Sequence, residues 1–430
     1  MSLLPVWDES RTRGLVRKLV LRELQSGMTI PSEEEDLVKA GVIDSMGWVG
    51  ILSGVEEETG IRNFGASWPA DRRQSINALV EVLLGTQCAS AKPDDSVRSQ
   101  VNKNERFGVL IAGWGFALGS LKIDTAAVER ELGLTAETLS ERAGIQSVNC
   151  AGKDETEISL GLQAAGGALA IADLDSGMVD AVVATSATCL GFPSLAALLH
   201  TRLLLRESCA AIDVGGACVG VLNALATAKG LIGSGQCQAV LVVAAEVNTR
   251  RLSGPEVPGE FRGLFGDGAC AFLLVRDESD GGNGPSRIGK FIFGCSGAFA
   301  SSLRITLRPS GPLEVNFEGK RLGSVALSTL EQILNRLEDS SGISISEVGW
   351  FALHEPNPRL VAILAERLRI PPDRIVHTTA DSGNLGSVTC GINLCRALTS
   401  ISRNPVDSPN RTIFMAAVGP GLLWGGTYIY

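Results

Sequence analysis

The segment Ala210–Ala226, AAIDVGGACVGVLNALA, decides how most of this 430-residue chain is organised. Its apolar start, Ala210–Val214, predicts a buried strand that ends at two glycines. Apolar residues then recur near the helical period, so the strand is expected to deliver Cys218 to the first turn of a buried helix. Because a helix N-terminus is partially positive, it lowers the pKa of a thiol there. Cys218 is therefore a candidate nucleophile, and a small core cysteine is the alternative that the segment alone leaves open.

The composition is that of a globular protein. Hydrophobic residues make up 45% and charged residues 20% of the chain. The formal net charge of −9 argues against nucleic acid or an anionic membrane as the main partner. The first residues have no basic-then-apolar signal pattern, and no apolar run reaches the roughly 18 residues that a membrane helix needs. A cytoplasmic location is expected.

The cysteines and histidines do not follow a metal-binding pattern. The ten cysteines include no C-x-x-C pair, and the three histidines have no ligand spacing to a cysteine or to one another. We therefore predict no metal, and we expect most of the cysteines to be reduced core residues.

Residues 1–85 are predicted to form a small, acidic, all-α domain. Helical stripes cover Asp8–Ser26, the segment that begins at Ser45, and Ser75–Leu84. Residues 86–105 are polar, lack periodicity and read as a linker.

The stretch AGVIDSMGWVGILSGVEEETGI, residues 40–61, resembles an acyl carrier protein. In that four-helix family an Asp-Ser-Leu/Met triplet opens the second helix, and its serine carries 4′-phosphopantetheine attached by a phosphopantetheinyl transferase. The resemblance places this covalent cofactor on Ser45 and an acidic recognition helix at Glu56–Glu58, although Trp48 is bulkier than the family leads one to expect. The local alternative is that Asp44 and Ser45 only cap a helix.

From residue 106 onward the chain alternates apolar runs with helical stretches, which predicts a largely parallel sheet covered by helices on both sides. The predicted strands are Val109–Trp114, Ala181–Thr185, Ala211–Val214, Ala239–Ala245 and Ala269–Val275. The predicted helices are Leu160–Ile171, Ser194–Leu205, Cys218–Ile232, Val325–Leu337, Pro358–Leu368 and Gly386–Leu398.

This region looks duplicated, with halves at 106–280 and 281–430 around the turn-rich segment ESDGGNGPSR. Each half contains a strand, a turn of small residues and a helix. The turn places one polar side chain, Cys218 or Asn384, at the helix opening.

Three further positions are candidates for the site. His354 follows the apolar run GWFAL, Asn384 lies in DSGNLGS, and Gly419 and Gly421 lie in VGPGLLWGG. Each has a structural alternative: a core or capping histidine, a turn asparagine, and a tight glycine turn.

Together these pieces resemble β-ketoacyl-acyl-carrier-protein synthase III of the thiolase-like superfamily. The resemblance rests on ERAGI at 141–145, the Phe-Pro-Ser turn at 192–194, LFGDGACAFLLV at 264–275, HEPNPRL at 354–360 and SGNLGSVTCGINL at 382–394. It implies an α/β thiolase-like fold with duplicated βαβαβ halves in five layers, a homodimer, and a catalytic triad of Cys218, His354 and Asn384.

The implied reaction is a decarboxylative Claisen condensation in polyketide or specialised lipid biosynthesis. Cys218 would accept an acyl group, while His354 and Asn384 would stabilise the enolate left when a malonyl thioester loses carbon dioxide. The thioesters would be bound to a carrier protein or to coenzyme A. The alternatives are an acyltransferase that does not decarboxylate and a non-catalytic scaffold.

Two positions depart from the family pattern. Thr138 stands where the family has a tryptophan that stacks on the adenine of coenzyme A, which favours a carrier-bound donor. The terminal glycine loop reads Gly419-Pro420-Gly421, and Pro420 has no N–H to offer an oxyanion.

Overall fold

The computed structural model describes residues 9–24, 28–30, 32–43, 45–59, 68, 73–89, 107–133, 138–252, 263–278, 286–300, 302–306, 314–317, 319–403 and 411–430. The chain divides into two compact units. One comprises residues 1–102 with 296–299, and the other comprises residues 103–295 and 300–430.

The smaller unit contains helices α1 (Glu9–Glu23), α2 (Ser45–Thr59) and α3 (Ile76–Ala89). One apolar cluster joins them, and it includes Val16, Leu19, Ile51, Val55, Leu79 and Leu83. Trp48 belongs to this core and meets Trp68 edge to face, with ring centroids 5.2 Å apart. The fourth of the predicted helices is not among the described elements, and most of the stretch between α2 and α3 lies outside the described residues. So does most of the predicted linker, although α3 continues to Ala89.

The larger unit contains thirteen strands in its described part. They are β1 (Gly108–Leu118), β2 (Leu121–Asp124), β3 (Ser147–Cys150), β4 (Ala181–Thr185), β5 (Ala210–Asp213), β6 (Ala239–Val247), β7 (Asp267–Asp277), β8 (Ile292–Cys295), β9 (Leu303–Thr306), β10 (Glu314–Phe317), β11 (Trp350–Leu353), β12 (Ile413–Gly419) and β13 (Leu423–Ile429). Two sheets carry the architecture, one in the order β1-β7-β6-β4-β5 and one in the order β11-β12-β13-β8.

The two sheets are mixed, so the prediction of a largely parallel sheet is wrong. Only β5, β4 and β6 run parallel in the first sheet, and only β11 and β12 in the second. The others pair antiparallel, including β7 with both neighbours and β13 with both neighbours. A strand that returns directly beside its predecessor must run antiparallel, whereas a parallel neighbour needs a long crossover. The β12–β13 turn is such a direct return.

The helices of this unit are α4 (Thr125–Leu132), α5 (Glu157–Ala172), α6 (Leu195–Arg202), α7 (Gly220–Gly233), α8 (Asn248–Arg251), α9 (Gly319–Ser341), α10 (Pro358–Leu368), α11 (Thr379–Ser382) and α12 (Val388–Arg403). Helices α5 and α6 pack on one face of the first sheet, and α7 and α12 pack on its other face. Helix α12 also contacts the second sheet, whose opposite face is covered by α9. The order helix, sheet, helix, sheet, helix is the five-layered arrangement that the resemblance implies.

The core lies in the middle layer. One cluster of buried side chains joins both sheets to α7 and α12, including Leu222, Leu225, Val242, Leu394 and Met415. The helices that follow Cys218 and Asn384, one from each half, therefore meet at the centre of the unit. The strand predicted before Asn384 is not formed, because Pro372–Arg374 is a 3-10 turn and Ile375 makes only an isolated bridge with Phe351.

Strand β5 corrects another prediction. It was expected to be buried, yet Ala210, Ala211 and Asp213 are exposed. The reason is its place at the edge of the sheet, where only β4 pairs with it among the described residues.

Across the described helices, none combines the length and the hydropathy that crossing a bilayer requires.

Candidate active site

Cys218 lies in a single 3-10 turn, Ala217–Val219, directly before α7 rather than inside its first turn. The chain enters this turn through Gly216 at φ 143° and Ala217 at φ 45°, a region that few side chains adopt. A Cβ at Gly216 would collide with Nδ2 of Asn223, which donates to the Gly215 carbonyl at 2.8 Å. The sharp turn therefore requires glycine, and it leaves the Cys218 side chain half-buried.

The pKa of Cys218 is shifted in the direction opposite to the one expected at a helix N-terminus. Burial raises the pKa of the thiol to about 12, and the charge of Glu246 raises it further than the backbone N–H of Cys218 lowers it. Desolvation disfavours the charged thiolate, and a nearby carboxylate adds to that penalty. The resting side chain is therefore a thiol.

His354 follows β11 at its carboxyl end, where its backbone N–H donates to the Ala416 carbonyl of β12 at 2.8 Å. The side chain is 3% exposed. Burial lowers the pKa of His354 to about 4, although Glu355 and a hydrogen bond with the Gly386 backbone oppose that shift. The imidazole is thus neutral at pH 7. Its Nδ1 is buried without a hydrogen-bond partner within the described ranges, which a satisfied core histidine would not show.

Asn384 is held by its own turn. Its side-chain Oδ1 accepts from the Gly386 N–H at 2.9 Å, its backbone N–H donates to the Leu264 carbonyl at 2.8 Å, and its carbonyl accepts from the Gly266 N–H at 3.1 Å. Gly383, at φ 76°, makes the bend before it. Because Oδ1 is engaged, the carboxamide orientation is fixed, and its Nδ2 donates to no other residue that the structure describes.

Short contacts bring these three segments together. The His354 ring interacts with the backbone of Gly386, two residues after Asn384. Gly220, two residues after Cys218, lies so close to Ser387 that a Cβ added to the glycine would be 3.4 Å from Cβ of the serine. On the other side, Gly419 packs on Cys218, since a Cβ at that glycine would lie 2.9 Å from Cβ of the cysteine. The nucleophile turn thus lies between the Asn384 turn and the end of β12.

The glycine loop begins at the same point. Gly419 ends β12, and Pro420–Leu422 form a 3-10 turn in which Gly421 has φ 100°. The Gly421 carbonyl accepts from Cys295 Sγ at 3.5 Å. The loop wall beside Cys218 is therefore backbone, and Pro420 contributes no N–H to it.

Glu246 also belongs to the site, although it is not among the predicted site residues. It is 1% exposed and acts on Cys218 by its charge. Its carboxylate accepts from Ser387 Oγ at 2.8 Å and from the Ala187 N–H at 3.0 Å. Burial raises the pKa of Glu246 to about 7 despite these hydrogen bonds. The available signal was an acidic residue inside the apolar run LVVAAEV.

Glu355, the residue after His354, was also missed. It is 1% exposed and pairs with His377, with 2.6 Å between its Oε1 and the histidine Nδ1. The available signal was its position directly beside the candidate histidine.

Ser45 is the first residue of α2 in the smaller unit. Its side chain and Asp44 lie outside what the structure describes. Among the described residues, no group of three or more His, Cys, Asp or Glu side chains is arranged to hold a metal ion.

Known proteins share this fold and these segments. The family model described as 3-Oxoacyl-[acyl-carrier-protein (ACP)] synthase III matches residues 212–297. The model for the C terminal part of that family matches residues 338–430. The β-ketoacyl-[acyl-carrier-protein] synthase III of Rhodobacter capsulatus is 31% identical over 331 residues, covering 74% of this chain and 98% of that protein. The corresponding synthase of Ruegeria pomeroyi is 30% identical over 327 residues, with the same two coverages.

Solved structures agree. The 3-oxoacyl-(acyl carrier protein) synthase III of Pseudomonas aeruginosa superimposes with a TM-score of 0.67 at 26% identity, covering 75% of this chain and 98% of that one. A priming β-ketosynthase from a polyketide biosynthetic pathway gives a TM-score of 0.67 at 25% identity, covering 76% of this chain and 96% of that one. Both coverages include nearly the whole of the relatives. The chain therefore belongs to the β-ketoacyl-[acyl-carrier-protein] synthase III family of condensing enzymes.

Proposed function

We propose that Cys218, His354 and Asn384 carry out the condensation, and that the reaction serves polyketide or specialised lipid biosynthesis. The observation that carries these roles is the pair of buried polar side chains beside the cysteine turn. His354 Nδ1 is buried without a partner among the described residues. The Asn384 side chain is also buried, and its only hydrogen bond to a described residue is made by Oδ1. Buried polar groups are normally paired, so an unpaired set points to a ligand.

In the first step an acyl group moves to Cys218. The sulfur forms a thioester with the acyl carbon as the bond to the donor's sulfur breaks, and the proton lost from Cys218 ends on the released donor thiol. Because the pKa of Cys218 is about 12, the proton must leave as the donor carbonyl is attacked. The neutral His354 ring is the nearby group that can accept it.

In the second step a malonyl thioester loses carbon dioxide. The electrons of the broken carbon–carbon bond form an enolate, whose oxygen would receive N–H groups of His354 and Asn384. The His354 pKa of about 4 keeps the ring neutral, with one N–H donor. The enolate carbon then attacks the acyl-cysteine, releasing a β-ketoacyl thioester and the Cys218 sulfur, which regains a proton.

We further propose that residues 1–85 are an acyl-carrier domain with 4′-phosphopantetheine on Ser45. Three helices packed around one apolar core support this proposal. Ser45 opens a helix of 15 residues with no acidic residue in its first turn, where backbone N–H groups stabilise a phosphodiester. The group would supply a thiol that holds acyl chains as thioesters, after a phosphopantetheinyl transferase has attached it.

Thioesters of carrier proteins are the proposed substrates, ahead of coenzyme A thioesters. The fused helical unit supports this choice, and so does Thr138 at the position of the family's adenine-stacking tryptophan. The similarity to a priming ketosynthase of a polyketide pathway supports the proposed biosynthetic setting.

We also propose a homodimer formed through β5. This strand has one unpaired edge within the described residues. The chain between β4 and β5 also exposes large apolar side chains, at Leu190, Phe192 and Leu204. Pairing with a second copy would continue the sheet and cover such a surface.

Mass spectrometry after co-expression with a broad phosphopantetheinyl transferase tests the proposal. We expect a phosphopantetheine mass on the Ser45 peptide and an acyl mass on the Cys218 peptide, with carbon dioxide release from a malonyl thioester. Ser45→Ala and Cys218→Ala are the controls that remove one modification each. An acylated Cys218 without carbon dioxide release would indicate an acyltransferase, and an inert Cys218 would indicate a scaffold.

A further inference from the structure

Glu355 connects the two segments that present the proposed oxyanion donors. Its carboxylate accepts from the Thr379 N–H at 3.0 Å and from the Thr378 N–H at 3.2 Å, both on Oε2. Its own carbonyl accepts from Thr379 Oγ1 at 2.7 Å. Glu355 directly follows His354, while Thr379 begins α11, the single helical turn that leads to Gly383 and Asn384.

A second buried bridge runs beside the first. Asn393 of α12 donates from Nδ2 to the Leu353 carbonyl at 2.9 Å and accepts from Thr378 Oγ1 at 2.6 Å. Leu353, Thr378 and Asn393 are all buried. The end of β11 and the start of α11 are therefore fixed to each other by polar contacts that water does not reach.

His377 completes this network from the surface. Its Nδ1 lies 2.6 Å from Oε1 of Glu355, and its side chain is 42% exposed, so it exchanges protons with solvent while Glu355 cannot do so freely. The hydrogen bond with Glu355 raises the pKa of His377 above its ordinary value against the effect of burial. Burial would raise the pKa of Glu355, but His377 and the backbone donors together lower it.

The structure describes four other charged side chains around this pair, namely Arg396, Asp381, Glu366 and Arg369. Arg396 of α12 donates to the His377 carbonyl at 2.6 Å. Its guanidinium also interacts electrostatically with Asp381 and Glu355. On the open side, His377 lines a groove that also holds Glu366 and Arg369. Because Glu355 acts on His354 by its charge, the net charge of the Glu355–His377 pair reaches the proposed oxyanion site.

We infer that Glu355 is a positioning residue for the enolate-forming step. We also infer that protonation of His377 changes the net charge of the Glu355–His377 pair, and with it the electrostatic environment of the enolate. With His377 protonated, the pair is neutral and the His354 and Asn384 segments stay fixed together. With His377 neutral, the unbalanced carboxylate of Glu355 opposes the negative charge that develops on the enolate oxygen. The inference rests on the proposed roles of His354 and Asn384.

The test is the pH dependence of malonyl-thioester decarboxylation by the full chain, measured beside acylation of Cys218. In the wild type we expect the decarboxylation kcat to fall through one ionisation above pH 6.5, the ordinary histidine value. His377→Gln keeps a donor but not the charge, so we expect its kcat below that pH to be reduced about tenfold and to lose the alkaline fall. His200→Gln is the matched control, since His200 lies on α6 and its ring Nε2 is 3.1 Å from the Arg206 carbonyl oxygen.

Glu355→Gln separates positioning from folding. We expect decarboxylation to fall at low pH, where the ion pair with His377 is lost. Its alkaline limb should disappear because no carboxylate is left to oppose the enolate, while acylation of Cys218 changes less. An alkaline limb that persists in His377→Gln would overturn the inference. Equal loss of acylation and decarboxylation in Glu355→Gln, with the wild-type pH profile kept, would also overturn it, because that result indicates a structural role alone. Absence of decarboxylation in the wild type would instead refute the proposed roles of His354 and Asn384, and the inference with them.

Discussion

Gly419 lies directly against Cys218, so that a Cβ on the glycine would come within 2.9 Å of Cβ and 3.4 Å of the backbone nitrogen of the cysteine. Carbon atoms in proteins do not approach this closely without displacement. The contact joins the last residue of β12 to the nucleophile turn, and it fixes the position of the sulfur from the side of the second sheet.

Gly419→Ala is therefore expected to displace Cys218 and slow its acylation by about a hundredfold, the effect of a misplacement of about 1 Å. The measurement is the rate of acyl-enzyme formation by mass spectrometry. Gly230→Ala is the matched control, because nothing lies within 4 Å of a Cβ there and α7 gains a better helix former. Acylation at the wild-type rate in Gly419→Ala would contradict the close packing.

Asn384→Asp should separate the two chemical steps. The variant keeps an oxygen to accept from the Gly386 N–H but replaces the Nδ2 donor with a second oxygen. We expect decarboxylation to fall by about 10²–10³-fold, the usual effect of losing one oxyanion donor. Transfer of the acyl group to Cys218 serves as the internal control and should persist. A variant that decarboxylates normally would show that Asn384 does not contact the enolate.

Glu246→Gln tests the electrostatic environment of the nucleophile. The carboxylate raises the pKa of Cys218, so removing its charge should lower that pKa and increase the thiolate fraction at pH values where Glu246 of the wild type is ionised. Alkylation of Cys218 by iodoacetamide, followed on the isolated peptide, should be faster in the variant above pH 7, where Glu246 is ionised. The two proteins should react alike at pH 5. Slower alkylation above pH 7 would contradict the proposed coupling.

The Glu355–His377 pair predicts a window of extra stability. The raised pKa of His377 gives stability that is present below its unfolded pKa of 6.5 and lost as pH rises through the folded value. The lowered pKa of Glu355 gives stability that is present above 4.5 and lost as pH falls through its folded value. The Tm difference between wild type and His377→Gln should thus be largest between pH 4.5 and 6.5, and a difference independent of pH would refute the ion pair.

Ala211→Pro tests the proposed dimer. The N–H groups of Ala210 and Val214 bond to the Asp180 and Ala184 carbonyls, so the alternation of the strand turns the Ala211 N–H away from β4. Proline there removes a donor from the open edge and leaves the β4 bonds intact. Sedimentation should show a dimer for wild type and for Ala211→Val, and a shift toward monomer for Ala211→Pro. An unchanged dimer would place the interface elsewhere.

Much of the larger unit follows from local sequence patterns. Strand Ala181–Thr185 and helix Pro358–Leu368 have the bounds predicted from apolar runs and helical periodicity. The direction of the strands could not be predicted from these patterns, because antiparallel and parallel strands that are buried on both faces share the same apolar pattern. The exposure of β5 also did not follow, since a strand's place at a sheet edge depends on pairing rather than on its own residues.

The candidate site was likewise predicted only in part. Cys218, His354 and Asn384 were selected because each lies in a motif that the family shares. The predicted sign of the Cys218 pKa shift was wrong, because it depends on burial of the thiol and, second, on the charge of Glu246, 28 positions further along the chain. Both arise only in the folded chain. The Glu355–His377 pair was missed for the same reason, as its members lie on different elements.

The middle layer has a consequence for how the larger unit assembles. Helices α7 and α12 belong to different halves of the duplication, yet their buried side chains share one cluster with both sheets. Neither half can bury the apolar side chains of its own central helix and sheet. Each half therefore needs the other to fold and is not a separate folding unit. A chain that ends after the first half would therefore leave the apolar face of α7 in water, and the two halves should melt in one cooperative transition.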